Sequence, residues 1–506
     1  MDVGSIAYFC TANIFAMGTI QRQTIAGTIY TYIGVGVGFV TTALLMPKML
    51  LSEQVGLLKL LVAYSVLYST FANLGTLNVA AKFFPYFRDE SKGHNGFLFL
   101  LIATNLVGFV LFLIFFFLMK GWLLDSNAEK PVLLSEYILW VIPITFSLQF
   151  FNVFDIYFRV LYNAVKGTVA RELLLRVALL GSILVFYWFD FVSFSGLVML
   201  YSSGFIIPFV YLVWSAKRNG YLYFNFRSDI LTIPLIKEMG LVGLFSIVSG
   251  VSGMIVLQID SIMVNKFFGL SATGVYSVCF FFGTLIVMPS RVLKKIGATY
   301  IAEAWKNNDL DQIGIIYEKS TINQFLVGVF IFVGIWVNTR LIFHLLPEEY
   351  SQGLYVILFV SLANVAEMAG GVCASIIGLS KHYKYSLYMI MVFVLLVIVA
   401  NYLLIPIFGL AGAALASFVS MFLFKVMQFL FLWKVFGFQP YSWKHLLLVL
   451  TTMLSIVVAQ LLPEFENIWI DAFLTSMAVS LFFSVAVVFF NLSEDVKAIL
   501  SKVKPV

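Results

Sequence analysis

The chain has 506 residues, 61% of them hydrophobic and only 11% charged. A soluble protein of this size needs far more polar surface, and a mean hydropathy of +1.00 puts the chain among polytopic membrane proteins. The net charge of +6 fits the lysine and arginine excess of cytoplasmic loops, so no nucleic-acid partner is expected.

Apolar runs long enough to cross a bilayer as a helix, roughly 20 residues each, recur fourteen times. The expected fold class is all-α and polytopic, because backbone facing lipid has to be hydrogen-bonded within helices. Residues 1–16 are mildly apolar, lack a basic start and carry Asp2, so they do not read as a cleavable signal. They are expected to be a loosely held tail or an overlong gene start. Met17 opens a more convincing beginning, MGTIQRQ.

The first helix, 24–46, carries Gly34, Gly36 and Gly38; inside a spanning helix these permit close helix approach, not nucleotide binding. The second, 55–81, ends in KFFPYFRDESKGHN. The third to sixth are expected at 96–119, 132–162, 168–188 and 195–214, followed by a basic connector, SAKRNGYLYFNFRSD. The seventh and eighth, 234–264 and 274–296, precede a polar segment at 297–320. The rest fall at 321–345, 352–379, 384–405, 410–435, 444–462 and 468–490. The expected domains are a tail at 1–16, a first lobe at 17–214, a connector at 215–233, a second lobe at 234–436, and two added helices with a tail at 437–506.

With the N-terminus in the cytoplasm, 25 lysines and arginines fall on the cytoplasmic side and 6 (Lys48, Lys59, Lys120, Lys130, Lys266, Arg340) on the outer side. That asymmetry predicts an even number of spans and both termini in the cytoplasm. The halves also repeat. Lys48 and Gly56 recur as Lys266 and Gly274, 218 residues on; Pro131 and Pro347, Lys166 and Lys381, and Gly196 and Gly412 recur at 215 or 216. Two six-helix halves entering from the same side make a parallel repeat, an arrangement typical of transporters with a substrate pathway between halves.

Polar groups inside such helices are costly and mark functional positions. Asp260, in the run MIVLQIDSIMVNK, is expected in gating or ion coupling, or else as a structural acid bonded to a neighbouring helix. Glu367 has the same expected role and shares a helix face with Asn364. Gln149, Asn152, Asp155, Arg159 and Asn163 fall within an arc of about 120° on the fourth helix. A shift of 215 carries Gln149 onto Asn364 and Asn152 onto Glu367, so both halves place polar groups at equivalent depth. Gln149, Asn152 and Asn364 are expected on an inward wall lining the space between the halves, the alternative being helix-to-helix hydrogen bonds. Lys82, Arg88, Arg159, Arg291 and Lys294 sit near inner helix ends and suit a phosphate-bearing ligand; the alternative is ordinary positive-inside charge. Asp155 and Arg159 are spaced to pair.

Catalytic signals are weak. Asp309-Leu310-Asp311 reads as a helix cap. The four histidines are scattered without metal spacing, the three cysteines form no framework, and no nucleophile or nucleotide-phosphate motif is present. No cofactor, metal or catalytic residue is expected.

The opening IQRQTIAGTIYTYIGVGVGFVTTALLMPKMLLSEQVGLL, FANLGTLNVAAKFFPYF, LQIDSIMV with GVYS, and IPIFGLAGAALAS resemble the Wzx-type polysaccharide flippases of the MOP superfamily. The resemblance covers most of the chain from Met17 on. It implies a two-lobed bundle in the bacterial plasma membrane and a substrate of undecaprenyl-diphosphate-linked oligosaccharide. The sugar would cross through a hydrated cavity by alternating access, its hydroxyls meeting Gln149, Asn152 and Asn364, while the prenyl tail stays in lipid. It also implies an acid in the seventh helix, matched by Asp260, and a basic position at the end of the second, matched by Lys82. Membrane lipids, a polysaccharide polymerase and glycosyltransferases are the expected partners. The first helix has no charge between Arg22 and Lys48. It therefore lacks the arginines of lipid II flippases and the acid of proton-coupled MATE exporters. A cation-coupled exporter of small amphipathic compounds is the alternative.

Overall fold

The computed structural model describes residues 26–125, 132–189, 192–226, 231–493, 495 and 497. The expected tail at 1–16, Lys130 and Pro131 lie outside them. Among the described residues there are helices and no strand. In chain order we number them α1 (Ala26–Met49), α2 (Ser52–Phe87), α3 (Phe97–Asp125), α4 (Val132–Val160), α5 (164–188), α6 (Phe194–Arg218), α7 (233–268) and α8 (270–306). The series continues with α9 (Leu310–Val337), α10 (Leu354–Ala369), α11 (Tyr383–Phe408), α12 (Leu410–Phe436), α13 (Trp443–Leu461) and α14 (Ile468–Phe489).

Twelve stretches among the described residues are long and apolar enough to cross a membrane. One of them, Ile233–Val287, has 55 residues, more than twice what a crossing needs. It breaks at Gly269, whose φ of 80° and ψ of −173° are open to glycine alone, and this separates α7 from α8. The remaining helix, α5, lies outside the twelve; Lys166, Arg171, Glu172 and Arg176 lower its apolarity. The protein is thus an all-α, multi-pass membrane protein. Its apolar exterior fits that: Leu106, Val107, Val110, Ile114, Phe117 and Leu118 on α3 are 48 to 70% exposed. In water each would forgo burial worth ~25 cal/mol per Å², whereas lipid tails solvate them.

The polar segment expected at 297–320 is mostly helical. After a 3-10 turn at Leu285–Val287, α8 resumes at Ser290 and runs to Lys306, because Ile301 and Ala304 bury one face while Arg291, Lys295 and Lys306 stay exposed. Asp309 then caps α9, its carboxylate accepting from the Gln312 amide at 2.9 Å, as the capping reading anticipates.

The chain forms two compact units. The first contains Leu57–Gln258 with the stretch up to Leu50; the second contains Leu51–Gly56 and the chain from Ile259 on. The stretch around Lys217 lies inside the first unit, and the chain leaves that unit within α7, not in a loop. The first unit has a core of Phe84, Phe87, Phe97, Phe154, Tyr157 and Phe158. Its α2 is broken at Asn73–Gly75, where Leu74 and Gly75 have positive φ. A side chain at Gly75 would strike the carbonyl of Gly243.

The second unit has a core that includes Ile286, Phe325, Phe332, Met368, Leu448 and Phe483. α14 and the residues flanking it are tied at two places to α9 and the stretch that follows it. At one end Asn338 donates to Ser476 at 2.9 Å and Arg340 pairs with Glu464 at 2.9 Å. At the other, Ser493 donates to Asn323 at 2.7 Å and Asn323 to Asp495 at 2.5 Å.

Candidate functional site

Asp260 is buried in the second unit, where four helices meet at its carboxylate. Tyr276 on α8 donates its hydroxyl at 3.0 Å, Asn401 on α11 donates its amide at 2.8 Å, and Ser417 on α12 donates its hydroxyl. No cationic side chain pairs with it among the described residues. The carbonyl oxygen of Asn401 is buried without a partner. One carboxylate ringed by two hydroxyls and a neutral amide, with a spare side-chain carbonyl beside it, suits a proton or a monovalent cation; a divalent ion calls for more charge. No group of three His, Cys, Asp or Glu that could hold a metal occurs among the described residues.

Glu367, on α10, is held differently. It forms ion pairs with Lys294 of α8 and with Lys425 of α12, the latter at 2.6 Å. Lys425 is 7% exposed and also donates to Gln428, which accepts in turn from the Cys373 thiol. The sequence reading counted Lys425 among cytoplasmic charges; the structure places it midway along an apolar helix, with its partner on another.

The remaining expected residues divide into those spent on structure and those left accessible. Gln149 is fully buried. Its amide donates to the carbonyl of Ala72 at 2.9 Å and to that of Asn105 at 2.7 Å. The break in α2 orphans the Ala72 carbonyl, and Gln149 satisfies it. Asn364 likewise ties α10 to α8, donating to the Gly283 carbonyl at 3.2 Å. For these two the helix-to-helix alternative describes the geometry. Arg88 donates to the Val160 carbonyl and the Tyr162 hydroxyl, both at 2.9 Å, closing the end of α4.

Arg159 pairs with buried Asp155, as its spacing suggests, and Arg171 of α5 joins them, 3.9 Å from Asp155 and donating to the side-chain amide oxygen of Asn152 at 2.6 Å. Gly167 leaves the room that the Asp155 carboxylate fills. Lys82 pairs with Glu238 of α7 at 2.7 Å, and both are exposed. Arg291 is exposed with no ion pair among the described residues.

The sequence reading missed a basic cluster in the first unit. Lys59, placed by it at the outer boundary, lies seven residues into α2 and donates to Thr42 of α1 at 3.2 Å. Beside α1, Arg176 of α5 pairs with Glu172 at 2.8 Å. A side chain at Gly38 would meet the Arg176 guanidinium, and one at Gly34 the Glu172 carbonyl. The glycines of α1 therefore make space for α5, which takes a π-helical turn at Val169–Leu174. The 218-residue shift carries Thr42 onto Asp260 and Lys59 onto Ser277, one residue past Tyr276. One half thus has a lysine bonded to a hydroxyl where the other has an acid bonded to one. The i,i+4 pair Gly34 and Gly38 was the available signal for this cluster.

Known proteins share this architecture. The chain is similar to a lipid II flippase, MurJ, in an inward closed conformation, with a TM-score of 0.73, 13% identity, and coverage of 92% of this chain and 99% of that one. It is similar to an inward-facing multidrug resistance MATE transporter of the MOP superfamily, with a TM-score of 0.63, 14% identity, and coverage of 80% and 93%. The MATE transporter VcmN of Vibrio cholerae gives a TM-score of 0.55 at 12% identity, covering 83% and 97%. At these identities the likeness is one of fold. In sequence, the chain is 22% identical over 212 residues to the capsular polysaccharide biosynthesis protein CapF of Staphylococcus aureus. That match covers 41% of this chain and only about half of the length of CapF, 50%. A sequence profile for polysaccharide biosynthesis proteins matches residues 20–299, more than half of the chain. The resemblance drawn from the sequence is thereby borne out, and the chain belongs to the polysaccharide biosynthesis protein family.

Proposed function

We propose that this protein flips an undecaprenyl-diphosphate-linked oligosaccharide from the inner to the outer leaflet of the bacterial plasma membrane, with both termini in the cytoplasm. The observation that carries the reading is a chain of the polysaccharide biosynthesis family built on the fold of a flippase and of exporters. Charge inside the membrane adds to it. Lys59 and Arg176 bring two cations against the single carboxylate Glu172 into the first unit. Exposed Lys82, Arg159 and Arg291 are assigned to the diphosphate, and Asn152 to sugar hydroxyls. Asp260 is the coupling group, taking up a proton or a monovalent cation among Tyr276, Asn401 and Ser417. Glu367 sets the conformation of the second unit through its two lysines.

Deleting the gene should leave lipid-linked oligosaccharide on the cytoplasmic face and remove the surface glycan. Neutralising Lys82 and Arg291 together should give the same block; full export by that double variant would sink the diphosphate assignment. The second reading, a cation-coupled exporter of small amphipathic compounds, is favoured by the Asp260 site. It predicts drug sensitivity in the deletion strain with surface glycan unchanged.

A further inference from the structure

In the first unit α5 packs against α6 along its π-helical turn, Val169–Leu174. The two helices approach closely at Gly204, where a side chain would lie 3.3 Å from Leu179. From there towards the end of α6 a groove of about 640 Å³ opens between them. Leu174 forms one wall, and Ile207, Val210, Tyr211 and Trp214 form the other. Apart from Ser203 at one end and the Tyr211 hydroxyl, the lining is apolar, and Ile207, Val210 and Trp214 are exposed. Ser203 to Trp214 takes up about 16 Å of helix at 1.5 Å per residue. That is one leaflet of a hydrocarbon core ~30 Å thick, the depth of a single acyl chain.

Where the apolar wall stops, the groove becomes cationic. Lys217 and Arg218 follow Trp214 by three and four residues, so they continue the same helix face, and both are exposed. The Arg218 guanidinium lies 5.5 Å from the centre of the Trp214 ring. Lys166 of α5, 5.0 Å above the Phe158 ring, is close enough to feel the Arg218 charge. None of these three cations pairs with a carboxylate among the described residues. Like charges that no acid balances attract an anion, and an indole beside them suits the membrane–water boundary. We propose that the groove between α5 and α6 binds one anionic phospholipid of the bilayer, its acyl chain along Val210 and Trp214 and its phosphate among Lys166, Lys217 and Arg218. Basic pockets between spanning helices on the cytoplasmic side hold lipid phosphates by the same chemistry. In the orientation proposed above the lipid belongs to the inner leaflet, and its binding is measurable without any cargo.

The test is native mass spectrometry of the full chain in detergent, titrated with phosphatidylglycerol or with phosphatidylcholine. The wild type should hold one phosphatidylglycerol roughly tenfold more tightly than phosphatidylcholine. Lys217→Gln with Arg218→Gln should weaken phosphatidylglycerol about tenfold, the scale of two charges near a membrane surface, and leave phosphatidylcholine unchanged. Val210→Trp fills the groove and should weaken both lipids. Equal affinity for the two lipids in the wild type, or phosphatidylglycerol binding untouched by the charge variant, overturns the phosphate site. Binding untouched by Val210→Trp overturns the proposal too, since a phosphate held without the groove need not belong to a lipid. Displacement of phosphatidylglycerol by an equal concentration of undecaprenyl phosphate gives the groove to a prenyl lipid and also overturns it. So does a dimer that Val210→Trp abolishes and lipid leaves unchanged. If Val210→Trp fails to fold, the charge variant still decides, because both of its side chains are exposed.

Discussion

Asp260 and Glu367 are carboxylates set among apolar helices of the same unit, and they are solvated in opposite ways. Glu367 lies between two ammonium groups, so removing its charge exposes two like charges to each other. Asp260 meets only hydroxyls and an amide, neutral groups that bond a charged carboxylate more strongly than a protonated one but set no like charges against each other when its charge is lost. The first is a fixed ionic joint between α8, α10 and α12. The second has no fixed counter-charge among the described residues, and in the proposed mechanism it is where charge arrives and leaves. The comparison teaches that the sign and number of partners, more than burial, separate a structural acid from a candidate coupling acid.

The largest effect should come from breaking the ionic joint. Glu367→Gln should destabilise the protein by about 3–5 kcal/mol, since the lysines lose their counter-charge, read as a lowered melting temperature in detergent. The triple variant Glu367→Leu, Lys294→Met, Lys425→Met should recover most of that loss; a Glu367→Gln protein that melts like the wild type contradicts the fixed joint. Asp260→Asn should leave the melting temperature nearly unchanged while abolishing ion dependence and slowing transport by roughly 5–150-fold, the usual range of a coupling energy. Ion-dependent transport at the wild-type rate would remove Asp260 from the mechanism. Asn401→Ala keeps the acid but deletes one donor and the spare carbonyl. About tenfold more coupling ion should then be needed for half-maximal transport, the scale of one hydrogen bond to a charged group. Lys82→Ala sets the floor: an exposed pair should contribute no more than ~1 kcal/mol to stability, checked by the same melting measurement.

The fold was legible because hydropathy and charge asymmetry act over whole helices, and because the repeat ties the halves together. The site was legible only where one residue stood out. Asp260 did, as an acid in an apolar run; its partners did not, because Tyr276, Asn401 and Ser417 are single polar residues on three helices and meet only in the folded unit. Lys425 and Lys59 were hidden by the same rule that predicts the topology, which counts every lysine as a loop charge. Gln149 misled for a different reason. Its polar stripe is real, but the stripe answers a broken helix, α2, whose interruption at Gly75 creates a carbonyl in need of a donor.

The joint at Glu367 also bears on how the protein is built. A charged residue at the centre of a helix entering the bilayer alone costs about 2.5–3.5 kcal/mol. Synthesis runs from the N-terminus, so Lys294 precedes Glu367 and Lys425 comes last. The acid of α10 emerges into a membrane that already holds one of its cations, and α12 then arrives carrying a lysine that the existing acid can receive. The order of charges along the chain is therefore an order of assembly, in which α10 and then α12 each find a counter-ion already inserted.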